Sequence, residues 1–290
     1  MPRAPKQRPL GGRRNLLKLL RGNTLASAAL VLLGFIAICS LAAPLVSSQS
    51  RDKIDLTKQY QSPSIEHPFG TDDLGRDLFV RVMYGGRVSL GVGVMAMLIA
   101  LFLGLVAGGL AGYYGGIVDT LIMRFVDLML AVPVFFVILF LSSVIVPSIL
   151  MICLIIGMTQ WMEVARLVRG VVLSTRELEF IDAARALGVT DNMILVRHLF
   201  PHTTAPVLVA GTLGLAQAII IESALSFLGF GIQPPTPSWG AMLQNAQGYL
   251  STAPWIAIFP GLMICLTVIS CYVLGDFLTN ALNPIRRKIP

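Results

Sequence analysis

Ser174-Thr175-Arg176-Glu177-Leu178-Glu179-Phe180-Ile181-Asp182-Ala183-Ala184-Arg185-Ala186-Leu187-Gly188 is a charged, helix-forming stretch in an otherwise apolar sequence. Ser174 followed by Glu177 has the spacing of a capping box, which satisfies orphan N–H groups at a helix start. Gly188 supplies the usual stop, where a positive φ is needed. Between them Phe180, Ala184 and Leu187 fall on one face, with Ile181 beside them. Glu177, Glu179, Asp182 and Arg185 make up much of the remainder. A second short helix is expected to begin at Thr190-Asp191 and to end by Pro201. The pattern is helix, glycine, helix, and it is amphipathic.

The surroundings of this stretch set its meaning. The 290 residues are 55% hydrophobic and 13% charged, with a mean hydropathy of +0.78. Soluble domains average ~25% charged residues, so the chain belongs to the membrane class. The net charge of +7 does not point to nucleic acid. Arg3, Lys6, Arg8, Arg13, Arg14, Lys18 and Arg21 precede the first apolar run with no acid among them, and they account for the excess. They read as a positive-inside flank. Thr24 to Val46 is longer than the apolar core of a signal peptide, about 7–15 residues, and is read as an uncleaved first span. Cys39, Cys153, Cys265 and Cys271 all lie in apolar runs without metal-ligand spacing. They read as buried thiols packing as small apolar groups.

Spans are expected at about 25–46, 88–111, 124–146, 148–168, 203–222 and 255–276. The third and fourth come from one uncharged run of 35 residues, Leu128 to Met162. That run is too long for a single helix at ~1.5 Å per residue across a ~30 Å core. Pro147-Ser148 is its natural break. Six spans put both termini on one side. The basic residues 1–24 and the tail with Arg286, Arg287 and Lys288 then agree on the cytoplasm. The same count places 47–87 and 223–254 outside and the loop 173–201 inside.

A cytoplasmic amphipathic element on a membrane protein has two readings. One is a loop helix lying on the membrane surface. The other is a handle for a soluble partner. The five basic and five acidic residues across 163–197 cancel, so the Lys/Arg-rich polar face of a lipid-bound helix is missing. A protein groove is the better receptor.

Here a resemblance enters. Asp182-Ala183-Ala184, three residues, Gly188, nine residues, then His198-Leu199-Phe200-Pro201 resembles the EAA loop of ABC importer permeases, E-A-A-x3-G-x9-I-x-L-P. Asp replaces Glu, His replaces Ile and Phe replaces Leu. Phe180 to Pro201 is similar to the version in the dipeptide/oligopeptide/nickel permease family. Gly70-Thr71-Asp72-Asp73-Leu74-Gly75-Arg76-Asp77, Leu225-Ser226-Phe227-Leu228-Gly229-Phe230-Gly231 with Gln233 to Gly240, and Gly275-Asp276 to Asn283-Pro284 resemble the same family in the same order.

The likeness covers about 70–290 and looks like the second-position permease of a peptide importer pair. It implies an all-α membrane protein of six transmembrane helices, a type I ABC importer permease fold in which 25–290 is the permease domain. It implies a coupling helix at 177–187 that enters a groove of a cytoplasmic ATPase through Glu179, Asp182, Ala183, Ala184, Arg185 and Gly188. It further implies a homologous permease, two ABC ATPases and an extracytoplasmic binding protein as partners, with peptide as first choice of cargo and nickel or another small solute as runner-up. ATP and Mg belong to the ATPases, and this chain is expected to bind no cofactor or metal of its own.

The absences agree with a transport role. No G-x-x-x-x-G-K-[ST], H-E-x-x-H or G-x-S-x-G occurs, so the sequence offers no phosphate loop, zinc site or nucleophile turn. A self-sufficient channel or secondary transporter needs intramembrane ionisable relays or inverted repeats, and neither is evident. Glu222 is the only acid between Asp191 and Asp276. It is either a gate or path residue or, as its distance from Thr203 favours, a group at the watery outer end of its span. Thr71 to Asp73 read as the cap of a helix whose apolar face is Leu74, Leu78 and Val82, rather than as metal ligands with Asp77. Gly104, Gly108, Gly112 and Gly116 form a stripe for close helix packing, with a hinge as the alternative. Arg124 and Asp127 sit three apart and can pair. Pro234, Pro235 and Pro237 bar a span at 233–239. Gly240 to Leu250 is then either a short re-entrant or interfacial helix or a rigid outer loop.

Overall fold

A chain this apolar must satisfy its backbone polar groups within helices if it is to sit in a bilayer. The computed structural model describes residues 19–46, 53–145 and 148–282, and among these there is no β-strand beyond one isolated bridge. The helices are α1 (Thr24–Val46), α2 (Leu78–Tyr114), α3 (Gly116–Ala131), α4 (Val134–Val144), α5 (Ile149–Arg176), α6 (Glu179–Ala186), α7 (Asp191–Phe227), α8 (Trp239–Ala246) and α9 (Trp255–Leu282). Among the described residues five of them are long and apolar enough to cross a membrane, and α3 with α4 makes a sixth span if that bent pair is counted as one.

α2 is the spine. Gly104, Gly108 and Gly112 present bare backbone to α5, where an added Cβ meets Val164, the Ala165 carbonyl and Val172. Gly157 of α5 returns the contact against Ile99 and the Ala96 carbonyl. These pairings rise together in sequence, so α2 and α5 run parallel. α7 runs antiparallel to α2, with Gly93 against Ile219 and Gly109 against Phe200. The stripe is therefore a packing surface. Gly116 is not part of it, because it starts α3 with φ +53.

Several boundaries differ from the sequence reading. The second span begins at Leu78, ten residues earlier than expected, and its cap is Asp77, which accepts from Val80 N–H at 3.0 Å. Thr71 to Asp73 do not cap it. Asp72 is instead buried between Arg76 (2.7 Å) and Arg81 (3.5 Å). The third span is not one helix over 124–146. It breaks at Val132-Pro133 and bends by 83°. Proline lacks a donor and drives the preceding residue extended, and Val132 has φ −91 and ψ 130. Pro147, the expected breaker, lies outside the described residues, but α4 ends at Val144 and α5 begins at Ile149. The fifth span is longer than 203–222. The helix that starts at Asp191 does not end by Pro201 but runs on to Phe227. A π-helical turn at Ile194–Leu199 immediately precedes the proline, loosening the ladder where a donor is missing.

The two ends of the bundle differ. At one, the segment 53–77, α8 and the start of α9 close over α2, with Phe69 stacked on Phe259 at 3.9 Å between centroids. The 233–250 stretch is thus no simple loop. Trp239 of α8 is 1% exposed and donates its indole N–H to the Val82 carbonyl at 2.9 Å. At the other end lie the C-termini of α2 and α5, the start of α7, and α6. The four cysteines are free thiols. Cys153 and Cys271 are buried as expected, but Cys39 is only half-buried and Cys265 is exposed on α9.

Candidate functional site

α6 is eight residues long, with acids in its first turn and Arg185 in its last, as the helix dipole favours. Ser174 and Glu177 do not form its capping box. α5 continues to Arg176, and the Ser174 hydroxyl donates back to the Val171 carbonyl at 2.9 Å. Leu178 occupies the N-cap position without a side-chain bond. The reason is an anchor at the end of α5: the Arg176 guanidinium donates to the Gly112 and Tyr113 carbonyls at 2.9 and 3.3 Å. Gly188 behaves as expected. Its φ is +77, its N–H donates to the Arg185 carbonyl at 2.9 Å, and Val189 N–H reaches the Ala184 carbonyl at 3.1 Å. Nothing lies within 4 Å of a Cβ there, so the constraint is backbone sign and not space.

The expected apolar face of α6 is divided in two. Ile181 (0% exposed) and Ala184 are buried, and Ile181 packs with Ile194, Leu195 and Leu199 of α7. Phe180 and Leu187 remain outside, at 41% and 84% exposure. They share the outer surface with Glu179, Asp182, Ala183, Arg185 and Gly188. Five of the six residues assigned to coupling are therefore exposed. Ala184 faces inward and lets α6 sit close to its own body.

Polar contacts tie this outer surface to the spans. The Tyr113 hydroxyl, at the end of α2, donates to Asp191 Oδ1 at 2.5 Å at the start of α7. The Arg185 guanidinium lies 5.5 Å from the centroid of the Tyr113 ring, a cation–π contact worth about 0.5–1 kcal/mol when exposed. Arg169 of α5 holds Asp119 of α3 with two bonds, at 2.5 and 2.6 Å. The two parallel bonds make a fork geometry that fixes α3 against α5. Asp127 pairs with Arg166 across to α5, not with Arg124. Both partners are about half exposed, so that contact is worth about 0–1 kcal/mol.

Glu222 is 0% exposed, which overturns the reading of a group at the watery end of its span. α7 continues beyond it to Phe227, and α8 folds back over it. Its carboxyl accepts from the Ser89 hydroxyl of α2 at 2.9 Å and from the Ser226 hydroxyl at 2.8 Å. Ser89 Oγ accepts the Trp239 N–H at 3.2 Å, and Ser226 Oγ accepts the Ile232 N–H at 3.1 Å. Glu222 joins α2, α7 and the α8 segment, and it is not on the wall of the cavity described next.

That cavity, about 1080 Å³, lies between α2, the end of α3, α4, α5, α7 and α9. Its wall is largely apolar, with Thr159, Gln160, Glu163, Gln217, Tyr272 and Thr279 as polar members. Gln160 has neither carboxamide atom paired although both are buried. A buried unpaired polar group costs about 1–3 kcal/mol.

Residues 100–288 match the family described as binding-protein-dependent transport system inner membrane component. Residues 14–63 match the N-terminal TM domain of oligopeptide transport permease C. The chain belongs to this permease family. It is similar to the dipeptide transport system permease protein DppC of Alkalihalophilus pseudofirmus, 41% identical over 271 residues, 93% of this chain and 89% of that protein. It is 36% identical over 268 residues to the oligopeptide transport system permease protein OppC of Bacillus subtilis, covering 92% and 88%. It is 40% identical over 264 residues to the OppC of Escherichia coli K12, covering 90% and 87%.

The permease is thus a multi-pass membrane subunit of a transport system, with an all-α type I fold. Sequence reading of this permease found α6 but missed Tyr113, Asp119, Arg169 and Arg176. Their partners are 50 to 78 residues away, and no local periodicity links them. Glu163 left one signal, an acid directly after 35 uncharged residues.

Proposed function

We propose that this permease moves di- and oligopeptides inward across a bacterial cytoplasmic membrane by alternating access, with both termini cytoplasmic. It pairs with a homologous permease around a shared path. An extracytoplasmic binding protein delivers cargo over the 53–77 and α8 end. Two cytoplasmic ABC ATPases use ATP and Mg and grip α6 through Glu179, Asp182, Ala183, Arg185 and Gly188. Closure of the ATPases displaces α6, and the Tyr113–Asp191 and Arg176 contacts pass that displacement to α2, α5 and α7 as a rigid-body tilt.

The observation that carries the reading is the outward surface of α6, with Phe180 and Leu187 exposed among charges and its inner side locked to three spans. The printed names of the relatives support peptide as cargo. Nickel or another small solute is the alternative cargo that the uptake assay addresses. Uptake of labelled dipeptides and of nickel, compared in a deletion strain with and without this chain, tests the cargo. Peptide uptake that does not depend on the chain refutes it. Flux through the purified chain alone in liposomes refutes the need for a motor.

A further inference from the structure

The cavity wall carries a polar track that ends in an acid with no ion pair among the described residues. Gln160 and Glu163 are three apart on α5 and share one helix face, and both line the cavity. Gly214 and Gln217 do the same on α7. The two helices run in opposite directions, and the Gln160 Oε1 lies 3.8 Å from where a Gly214 Cβ would stand. The order along the cavity is therefore Gln217, Gln160, Glu163. At ~1.5 Å per residue the track is about 9 Å long, comparable with a dipeptide of two extended residues, about 7 Å.

The two arginines that follow Glu163 on α5 are already committed. Arg166 pairs with Asp127, and Arg169 pairs with Asp119. Glu163 has no ion pair among the described residues, and the carboxamide of Gln160 is buried and unpaired. An intramembrane acid that faces a cavity is by default a functional group. An unpaired carboxamide one turn away supplies both a donor and an acceptor.

We propose that Glu163, Gln160 and Gln217 form a station in the translocation cavity that takes the ammonium group of a passing peptide. Glu163 accepts from the ammonium, and the two glutamines exchange hydrogen bonds with the peptide backbone. The apolar remainder of the wall leaves side chains unselected. This rests on the peptide reading above and names the group that is read.

The test uses the complete complex of permease pair and ATPases in nanodiscs, without the binding protein. Equilibrium binding of radiolabelled alanyl-phenylalanine is compared with its N-acetyl form and with N-acetyl-lysyl-phenylalanine. The wild type is expected to bind the free amine about tenfold more tightly than the acetylated peptide, the factor of one modest charge-assisted contact. E163Q erases that ratio, and E163D keeps part of it, with assembly of each complex checked by size exclusion. The lysyl peptide shows whether the station takes any primary ammonium or the N-terminus alone, and either result supports it. Equal binding of the free and acetylated peptides by wild type overturns the station, as does a ratio that survives E163Q or no measurable binding by a complex that imports peptide. If the full system with binding protein imports no peptide, the cargo reading itself has failed.

Discussion

Replacing Glu222 separates a structural staple from a gate. In Glu222→Ala the hydroxyls of Ser89 and Ser226 lose their acceptor, while each keeps its bond from a backbone N–H, Trp239 and Ile232 respectively. Two short hydrogen bonds are lost, together with a long one from the Ser223 hydroxyl at 3.5 Å that adds little. A net hydrogen bond is worth about 0.5–1.5 kcal/mol, and measured values within membrane proteins average about 0.6 kcal/mol. The loss from hydrogen bonding is thus about 1–3 kcal/mol, and the truncated side chain adds a packing loss because the site is fully buried. Glu222→Gln keeps the volume and one acceptor, so it loses about half of the bonding. Thermal unfolding of the purified complex is expected to fall by a few degrees for Ala and by less for Gln. α8 is expected to loosen first, read as faster hydrogen exchange at Trp239 and its neighbours. ATP-coupled uptake per assembled complex is expected to stay close to wild type in Glu222→Gln. Uptake abolished in Glu222→Gln with unfolding and exchange unchanged would refute the staple and restore the gate.

Three further outcomes follow from the geometry. Gly188→Trp is expected to uncouple ATP hydrolysis from uptake, and Gly188→Asn to retain most coupling, because an L residue in the left-handed region costs about 1–2 kcal/mol and Asn tolerates it best. Wild-type coupling in the Trp variant argues against the docking role. Gly108→Leu is expected to lower the amount of permease in the membrane several-fold, since its side chain meets the Ala165 backbone; an immunoblot of membrane fractions reads it. In a cysteine-free background, Ile65→Cys, fully exposed, is expected to react with an impermeant maleimide from outside whole cells. Leu187→Cys is expected to react only in inverted vesicles.

Much of the fold was legible because a bilayer imposes a length and a polarity on each span. α1 and α9 begin within a residue of where hydropathy placed them, and the Gly104–Gly112 stripe read as a packing surface from its spacing alone. The α6 element and its Gly188 stop were legible for a related reason: charge in a greasy chain, and a positive φ that few residues tolerate. The errors fall where neighbours outweigh local pattern. Ser174 has the right spacing for a cap, but Arg176 is held by α2, so α5 keeps its helix past Ser174. Pro201 has the signature of a stop, but a π turn carries the helix through it.

Burial of particular side chains lay beyond sequence alone. Counting residues from Thr203 put Glu222 near water, whereas a segment arriving from Ile232 and Trp239 covers it. Hydropathy and helix period determine which stretches become spans and where charge is left outside, because these depend on neighbours within a few turns. Which serine meets the buried acid, which arginine meets which aspartate, and which acid faces a cavity are set by contacts between helices 50 to 150 residues apart, and only the tertiary packing decides them.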